Sequence, residues 1–276
     1  MPELPEVETI CRQLGPLVTN RVIKDVVIRR QDIVGFPDVR RFKSELNGKR
    51  VEKIERQGKY LIFNLSQGFL LIVHLRLSGH LRFVNDGARL KYERIRFIFK
   101  GGGALVFVEP RVLGRAYLVK NGELPASLKG LRELGVEPIS ACWTPGYLAQ
   151  FLEWRKAPIK TLLLDQRICA GVGNIYSDEA LFRARVQPMR PAGSLSNNEI
   201  VRLAQSLRQV LNKAIQFLGT TMKDERYHLP DGKSGRFQHH LMVFNREGMP
   251  CRVCGTKIKR IKIGKRSSYF CPGCQR

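Results

Sequence analysis

Apolar positions near the start of the chain fall at Leu4, Val7, Ile10, Cys11 and Leu14, a spacing that predicts an amphipathic helix. Pro5 in its first turn, with Glu3, Glu6 and Glu8 nearby, suits a helix N-terminus, where backbone N–H groups are free. From residue 22 to about 120 the pattern becomes one of short β-rich runs: VIKDVVIR, KRVEKIER, KYLIFNLS, FLLIVHLRL, HLRFV, RIRFIFK, GALVFVE and RAYLV. Turn signals such as SQG, NDG and KGGG separate several of them, so eight strands in a sandwich or barrel are expected. Beyond LRELGVEPIS helical periodicity returns in GYLAQFLEW, IKTLLLDQ, NIYSDEALFRARV and SNNEIVRLAQSLRQVLNKAIQFL. Ser196 and Glu199 make a capping-box pair at the start of the last run. The polar stretch GTTMKDERYHLPDGKSGRF that follows is too long for a mere connection and is either disordered or functional.

Composition sharpens this outline. A chain of 276 residues can bury a real core and make two domains with a small appendage. Lys and Arg number 48 against 24 Asp and Glu, a net charge of +24. Such an excess points to a polyanionic partner, nucleic acid ahead of a membrane surface, because no basic amphipathic tail or lipidation signal is present. The first ten residues lack a basic and apolar leader pattern, and apolar runs such as GGALVFV are only strand-sized. An intracellular protein is expected.

Of seven cysteines, Cys11, Cys142 and Cys169 lie alone in apolar-patterned segments and read as reduced core residues. The other four form Cys251-x2-Cys254, a 16-residue spacer, and Cys271-x2-Cys274. Two such knuckles match one tetrahedral structural zinc, with no open coordination position for chemistry. Between them KIKRIKIGKRSSYF reads as a basic hairpin with Gly264-Lys265-Arg266 at its tip. A cationic tip held rigid by metal suits a nucleic-acid contact.

Other motifs are weaker one at a time. Gly171-Val172-Gly173-Asn174 precedes a predicted helix, where backbone N–H groups can approach a phosphate; Asn174 could cap that helix, bind the phosphate, or both. Lys59, in the turn Gln57-Gly58-Lys59-Tyr60, is most simply a solvated lysine. Arg111 in Glu109-Pro110-Arg111 and the run His74-Leu75-Arg76 are cations near strand ends. His239 and His240 would face opposite sides of a strand, which argues against joint metal ligation.

Pro2 carries the most specific chemistry. If the initiator Met is trimmed, Pro2 presents a secondary α-amine that titrates near about 8 in a free peptide. The adjacent helix N-terminus disfavours its protonation further. Condensed with an aldehyde carbon, that amine gives an iminium, cationic without a proton and therefore an electron sink for elimination. Glu3 is placed to deliver protons.

PELPEVET, GKYL, EPR, GVGNIY, the long loop ending FQHHL, and the cysteine tail ending CPGCQR together resemble the formamidopyrimidine-DNA glycosylase family from Pro2 to Arg276. Leu4 favours this branch over the endonuclease VIII group, which typically begins PEGPE. The resemblance implies an α+β multidomain protein: an N-terminal β-sandwich (1–134), a helix–two-turn–helix domain with a lesion-covering loop (135–246) and a zinc finger (247–276). It implies a monomer that holds damaged duplex DNA across a cleft, excises oxidised purines such as 8-oxoguanine and formamidopyrimidines, and cuts the strand by β,δ-elimination. By that resemblance Pro2 attacks C1′, Glu3 protonates the opening sugar, Lys59 serves at the lesion phosphate and Arg266 in δ-elimination. Asn174 matches the phosphate-binding asparagine, and Arg111 the arginine inserted opposite the extruded base. Arg155, where lysine is usual, and Lys160 match DNA-contacting positions. His74 joins that set, and Tyr92 stands where a DNA-contacting histidine is usual. Leu77 and Leu113 replace the Met and Phe of the usual wedge, and the loop from about residue 219 to 237 would cover the flipped base. A bacterial, cytoplasmic, nucleoid-associated protein follows. Two other readings fit the same scaffold: an endonuclease VIII-like pyrimidine glycosylase, and a non-catalytic structure-specific DNA-binding protein.

Overall fold

The computed structural model describes residues 2–85, 87–120, 123–222 and 227–276. The chain divides into two compact units, Met1–Arg132 with Phe217–Arg236, and Glu133–Gln216 with Phe237–Arg276.

The first unit begins with α1 (Leu4–Val18), whose inward stripe Leu4, Val7, Ile10, Leu14 and Val18 is fully buried. Each such side chain contributes about 1.5–3 kcal/mol when removed from water. Glu3 is the N-cap: its N–H donates to Glu6 Oε2 at 2.8 Å, and its carboxylate accepts the Glu6 N–H in return. Strands follow as β1 (Ile23–Ile28), β2 (Val34–Phe36), β3 (Val51–Gln57), β4 (Tyr60–Leu65) and β5 (Phe69–His74). A helix α2 (Val39–Leu46) lies between β2 and β3. The unit continues with β6 (His80–Val84), β7 (Glu93–Phe99), β8 (Ala104–Val108), β9 (Arg115–Lys120) and the short α3 (Lys129–Arg132). One sheet runs β1-β7-β8-β6 and the other β2-β9-β5-β4-β3, antiparallel throughout except for the β2–β9 pair. Val7 and Ile10 of α1 share one core with Phe63 of the five-stranded sheet and Phe97 and Phe107 of the four-stranded one.

All eight expected strands are present. β2 and α2 were not anticipated, because a three-residue strand and a helix that turns only Phe42 and Leu46 inward are too short for periodicity to register. The stretch from residue 219 onward does not form a regular element in 219–222 or 227–236, and residues 223–226 of the expected covering loop lie outside the described residues. Tyr227 and Leu229 are buried in the first unit's core.

The second unit comprises α4 (Pro145–Leu152), α5 (Ile159–Leu163), α6 (Asn174–Ala184), α7 (Asn197–Gln216) and a hairpin of β10 (Lys259–Ile263) with β11 (Arg266–Phe270). The capping box forms: Ser196 N–H donates to Glu199 Oε2 at 2.9 Å, and Glu199 N–H to Ser196 Oγ at 3.4 Å. α7 ends where Leu218 (φ 61°) and Gly219 (φ 78°) enter the left-handed region. Two expectations fail here. Cys142 is exposed, in the turn before α4, and Cys11 is only half-buried; of the three isolated cysteines Cys169 alone is in the core. His239 and His240 lie in a 3₁₀ turn (Phe237–His240), not a strand. Among the described residues no helix is long and apolar enough to cross a membrane.

Candidate active site

In the first unit the start of α1 brings together two carboxylates, Glu3 and Glu6, and the segment beyond α7. Pro2 is buried, and Glu3 is 2 % exposed. Glu6, 1 % exposed, accepts from Glu3 N–H and, through Oε1, from Thr220 N–H at 2.8 Å. The Tyr227 hydroxyl donates to the Leu218 carbonyl at 3.0 Å, and its burial raises its pKa. One helix N-terminus thus fixes both the Pro2–Glu3 pair and the segment around Thr220. Met1 lies outside the described residues.

Lys59 is not the solvated lysine that its turn suggested: it is 7 % exposed. Gly58 (φ 56°) lets β3 and β4 join through two residues, a conformation that glycine adopts without strain. The turn is tied to α1, since Arg56 donates to the Gly58 carbonyl at 3.1 Å and to Glu8 Oε2 at 2.8 Å. His74 is buried as well, and burial, with Arg76 and Lys59 nearby, pushes its pKa down to about 3. It is therefore neutral, its Nδ1 accepting the Arg76 N–H at 3.0 Å. Tyr92 is exposed, in a left-handed conformation (φ 61°), with Lys91 and Arg94 over its ring at 5.0 and 5.7 Å.

Glu109 organises the loops that carry Arg111 and the two leucines. Wholly buried, it accepts from Arg111 N–H and Gly114 N–H, each at 3.0 Å, and from the Ser78 hydroxyl. A Cβ on Gly114 would meet Phe107 at 2.6 Å and Glu109 at 2.9 Å, so only glycine fits beside that carboxylate. Leu77 and Leu113, 37 % and 39 % exposed, line one concavity with Arg76 and Arg115. The Arg111 side chain is exposed.

In the second unit α6 is buried on almost every side, Ser177, Asp178 and Glu179 included. A helix buried all round must satisfy its own carboxylates. Asp178 accepts from Lys160 Nζ at 2.7 Å, Ser268 Oγ at 2.6 Å and Tyr269 N–H at 2.9 Å. Burial raises its pKa to about 6. Glu179 accepts the N–H groups of Met242, Val243 and Phe244 at 2.8–3.0 Å. One helix therefore holds both β11 and the segment leading into the cysteine tail.

Asn174 is not the cap of α6; Gly173 is, and Asn174 is its first residue. The Asn174 Nδ2 donates to the Ser267 carbonyl at 3.0 Å, while its buried Oδ1 has no partner among the described residues. Lys160 donates to the same carbonyl at 3.2 Å. Asn174, Lys160 and the residue after Arg266 thus meet at one oxygen. Lys160, however, is wholly buried, so its ammonium reaches no surface and acts on the site through Asp178 and β11. Arg155 is exposed, in a loop where its N–H donates to the Leu152 carbonyl and its own carbonyl accepts from Gly193. Replacing Lys160 with Met should destabilise this unit by about 3–5 kcal/mol, because Asp178 would lose its buried counter-charge and one of its hydrogen bonds. Urea denaturation followed by circular dichroism measures this, and a loss below about 1 kcal/mol would rule out the pair as a stabilising element.

The four tail cysteines form the one such cluster among the described residues, their Sγ atoms all within 4.8 Å of one another. Cys251 Sγ lies 3.9 Å from Cys274 Sγ, and Cys254 Sγ 3.4 Å from Cys271 Sγ. These are not disulfide lengths. A tetrahedron of sulfurs at about 2.3 Å from zinc has edges of about 3.8 Å. The donor set fits one structural zinc, which β10 and β11 extend to a two-residue tip at Gly264 and Lys265, with Arg266 paired to Ile263.

Asp178 and Glu179 were missed at the sequence level, and Glu6 was read only as part of a helix N-terminus, not as the anchor of Thr220. Their signal was present, as carboxylates on otherwise apolar helical runs in a chain with twice as many bases as acids.

Three family profiles match the chain: the formamidopyrimidine-DNA glycosylase N-terminal domain over residues 1–116, the formamidopyrimidine-DNA glycosylase H2TH domain over 134–226, and a zinc finger found in FPG and IleRS over 248–276. The formamidopyrimidine-DNA glycosylase of Pelotomaculum thermopropionicum is 43 % identical over 277 residues, covering 100 % of this chain and 99 % of that protein. The crystal structure of the MutM (Fpg) protein of Thermus thermophilus superposes with a TM-score of 0.90 at 40 % identity, covering 99 % of this chain and 98 % of that one. A Lactococcus lactis Fpg complex with DNA containing an abasic site gives 0.90 at 33 % identity, over 99 % of both chains.

Proposed function

The chain belongs to the formamidopyrimidine-DNA glycosylase family, and we infer from that membership and from its own residues how it repairs DNA. It is a base-excision repair glycosylase and abasic-site lyase that acts on duplex DNA carrying an oxidised purine. The observation that carries this reading is the buried Pro2–Glu3 pair at a helix N-terminus, in a chain of net charge +24 with a Cys₄ hairpin.

A base inside a duplex is closed to a protein terminus, so the nucleotide must be extruded and the gap filled. The Pro2 nitrogen then attacks C1′, the glycosidic bond breaks, and the base leaves with a proton. Glu3 protonates the ring oxygen as the sugar opens, leaving an iminium between Pro2 and C1′. Loss of a C2′ proton into that sink expels the 3′ phosphate, and a second elimination expels the 5′ phosphate. Lys59 serves the first phosphate and Arg266 the second; Asn174, Arg155, His74 and Tyr92 contact the DNA, with Lys160 positioning β11 beneath Arg266. The relatives are bacterial, and a DNA substrate supports the reading of a nucleoid-associated protein. A panel of duplexes, each with one oxidised base, tests this: 8-oxoguanine and formamidopyrimidines should be released faster than oxidised pyrimidines. The reverse order would transfer the chain to the pyrimidine-excising reading.

Arg111 enters the vacated space and donates to the orphaned base, with Leu77 and Leu113 beside it. Leucine can prop open a base step but cannot stack as a ring does, and such stacking is worth about 1–3 kcal/mol per base. Leu113→Phe should therefore tighten binding to an abasic duplex and sharpen the preference for cytosine opposite the lesion. Affinities at one fixed salt concentration for the four opposite bases measure this. An unchanged ranking with unchanged affinity would mean that position 113 does not touch the orphaned base.

A further inference from the structure

At the C-terminal end of α6 the second unit carries two cavities that share a wall. One, of about 610 Å³, is lined by Arg183, Arg185, Arg202 and Arg276, with Glu199 also on its wall. The other, of about 320 Å³, has an apolar floor of Val210, Phe237 and Met242, with Lys213 and His240 at its edge. Phe182, Arg183 and Val253 belong to both, so a basic compartment opens beside an apolar one.

Arg183, Arg185 and Arg202 are exposed, and among the described residues no carboxylate pairs with them. Arg183 Nε donates to Gln209 at 2.6 Å and Arg202 Nε to the Ala184 carbonyl at 3.4 Å, which holds both side chains in place. The nearby carboxylate, Glu199, is held by Arg190 Nη2 at 3.1 Å and caps α7. A ring of unpaired guanidiniums about a concavity is costly to assemble through mutual repulsion unless an anion visits it.

The lesion-bearing duplex is a poor candidate for that anion. α6 spans Asn174–Ala184, so its C-terminal end lies about 15 Å from the phosphate-binding end. Single-stranded nucleic acid binds sequence-independently by stacking on open aromatic faces. The two rings here, Phe182 and Phe237, are 7 % and 3 % exposed, and the accessible part of the shared wall is the aliphatic Val253, 65 % exposed. A second copy of a chain with charge +24 would be repelled.

We propose that this paired cavity is a docking groove for an acidic peptide segment of another protein, in which several carboxylates adjoin one large apolar side chain. The carboxylates take the bidentate guanidinium contacts, and the apolar side chain fills the smaller compartment against Phe182, Val210 and Val253. A repair enzyme could thereby be held by a protein partner while its DNA-binding residues stay engaged.

The test is fluorescence anisotropy with a labelled peptide of four aspartates followed by a C-terminal phenylalanine, titrated with the zinc-loaded full chain. The peptide should bind, more weakly as salt rises, and a saturating abasic-site duplex should not displace it. Arg183→Gln combined with Arg202→Gln should weaken binding at least tenfold, with base excision unchanged. Val253→Asp, which alters an exposed side chain and leaves the Val253 N–H bond to Cys251 Sγ in place, should weaken peptide binding likewise, with one zinc per chain retained. Replacing the peptide's phenylalanine with alanine should also cost about tenfold. Displacement by the duplex or by a single-stranded oligonucleotide would make the groove part of the nucleic-acid face and overturn the proposal. Equal binding of the alanine peptide, or unchanged binding by both variants, would reduce it to a solvated basic surface.

Discussion

Protein in which the Pro2 amine is blocked, by a retained Met1 or an N-terminal tag, should bind lesion DNA yet neither release the base nor cut the strand. The loss should be on the order of 10³-fold or more, as expected when a covalent nucleophile is removed. The reasoning rests on the nitrogen. An α-amine titrates near about 8, so a usable neutral fraction exists at pH 7, where a lysine near about 10.4 has almost none. The N-terminal end of α1, with Glu3 as its cap, lies immediately beside it and disfavours an ammonium there. Being secondary, the proline nitrogen yields an iminium that is charged at every pH. Pro2→Gly supplies a primary amine whose imine must first be protonated, so it should retain trapping but eliminate more slowly. Borohydride added during turnover reduces the iminium and fixes protein to DNA, and peptide mass mapping then locates the bond. An adduct confined to Lys59 would falsify the assignment.

How far this could be read from sequence differs by element. Residues that act through local chemistry announced themselves: the two cysteine knuckles, the Pro-Glu start of a helix, the capping box of α7. Residues that act through distant partners did not. Glu6 meets Thr220 across 214 positions, and Asp178 meets Tyr269 across 91, pairings that no periodicity encodes. Lys59 and Lys160 look like ordinary surface lysines, and only the fold shows both buried, one beside His74 and the other against Asp178. Asn174 was legible as a residue of consequence but not in its geometry, because its bond goes to Ser267, 93 residues away. The anchoring carboxylates are the general case, in that burial turns an unremarkable acid into a structural centre once backbone N–H groups converge on it.

Removing the zinc should abolish tight binding of lesion DNA, and Cys254→Ser should reproduce that loss. The module at 248–276 is too small to fold on its own apolar surface. Its buried apolar contacts are few: Cys251, Ile258, Tyr269 and Cys271 pack with Val243 and Phe182. Apparent binding energies of about 10–16 kcal/mol for structural zinc in such modules exceed anything that this cluster supplies. Asp178 still grips β11 at Ser268 and Tyr269, so the hairpin base retains one anchor without metal. The tip beyond it, with Arg266, does not. Arg266→Ala separates the two contributions: it should keep one zinc per chain, bind DNA more weakly regardless of sequence, and lower the slope of log affinity against log salt by about 1. Zinc content by a colorimetric chelator, with affinity measured at several salt concentrations, provides both readouts. A metal-free protein that bound the lesion duplex as tightly as the zinc-loaded one would show that the hairpin's position owes nothing to the cysteines.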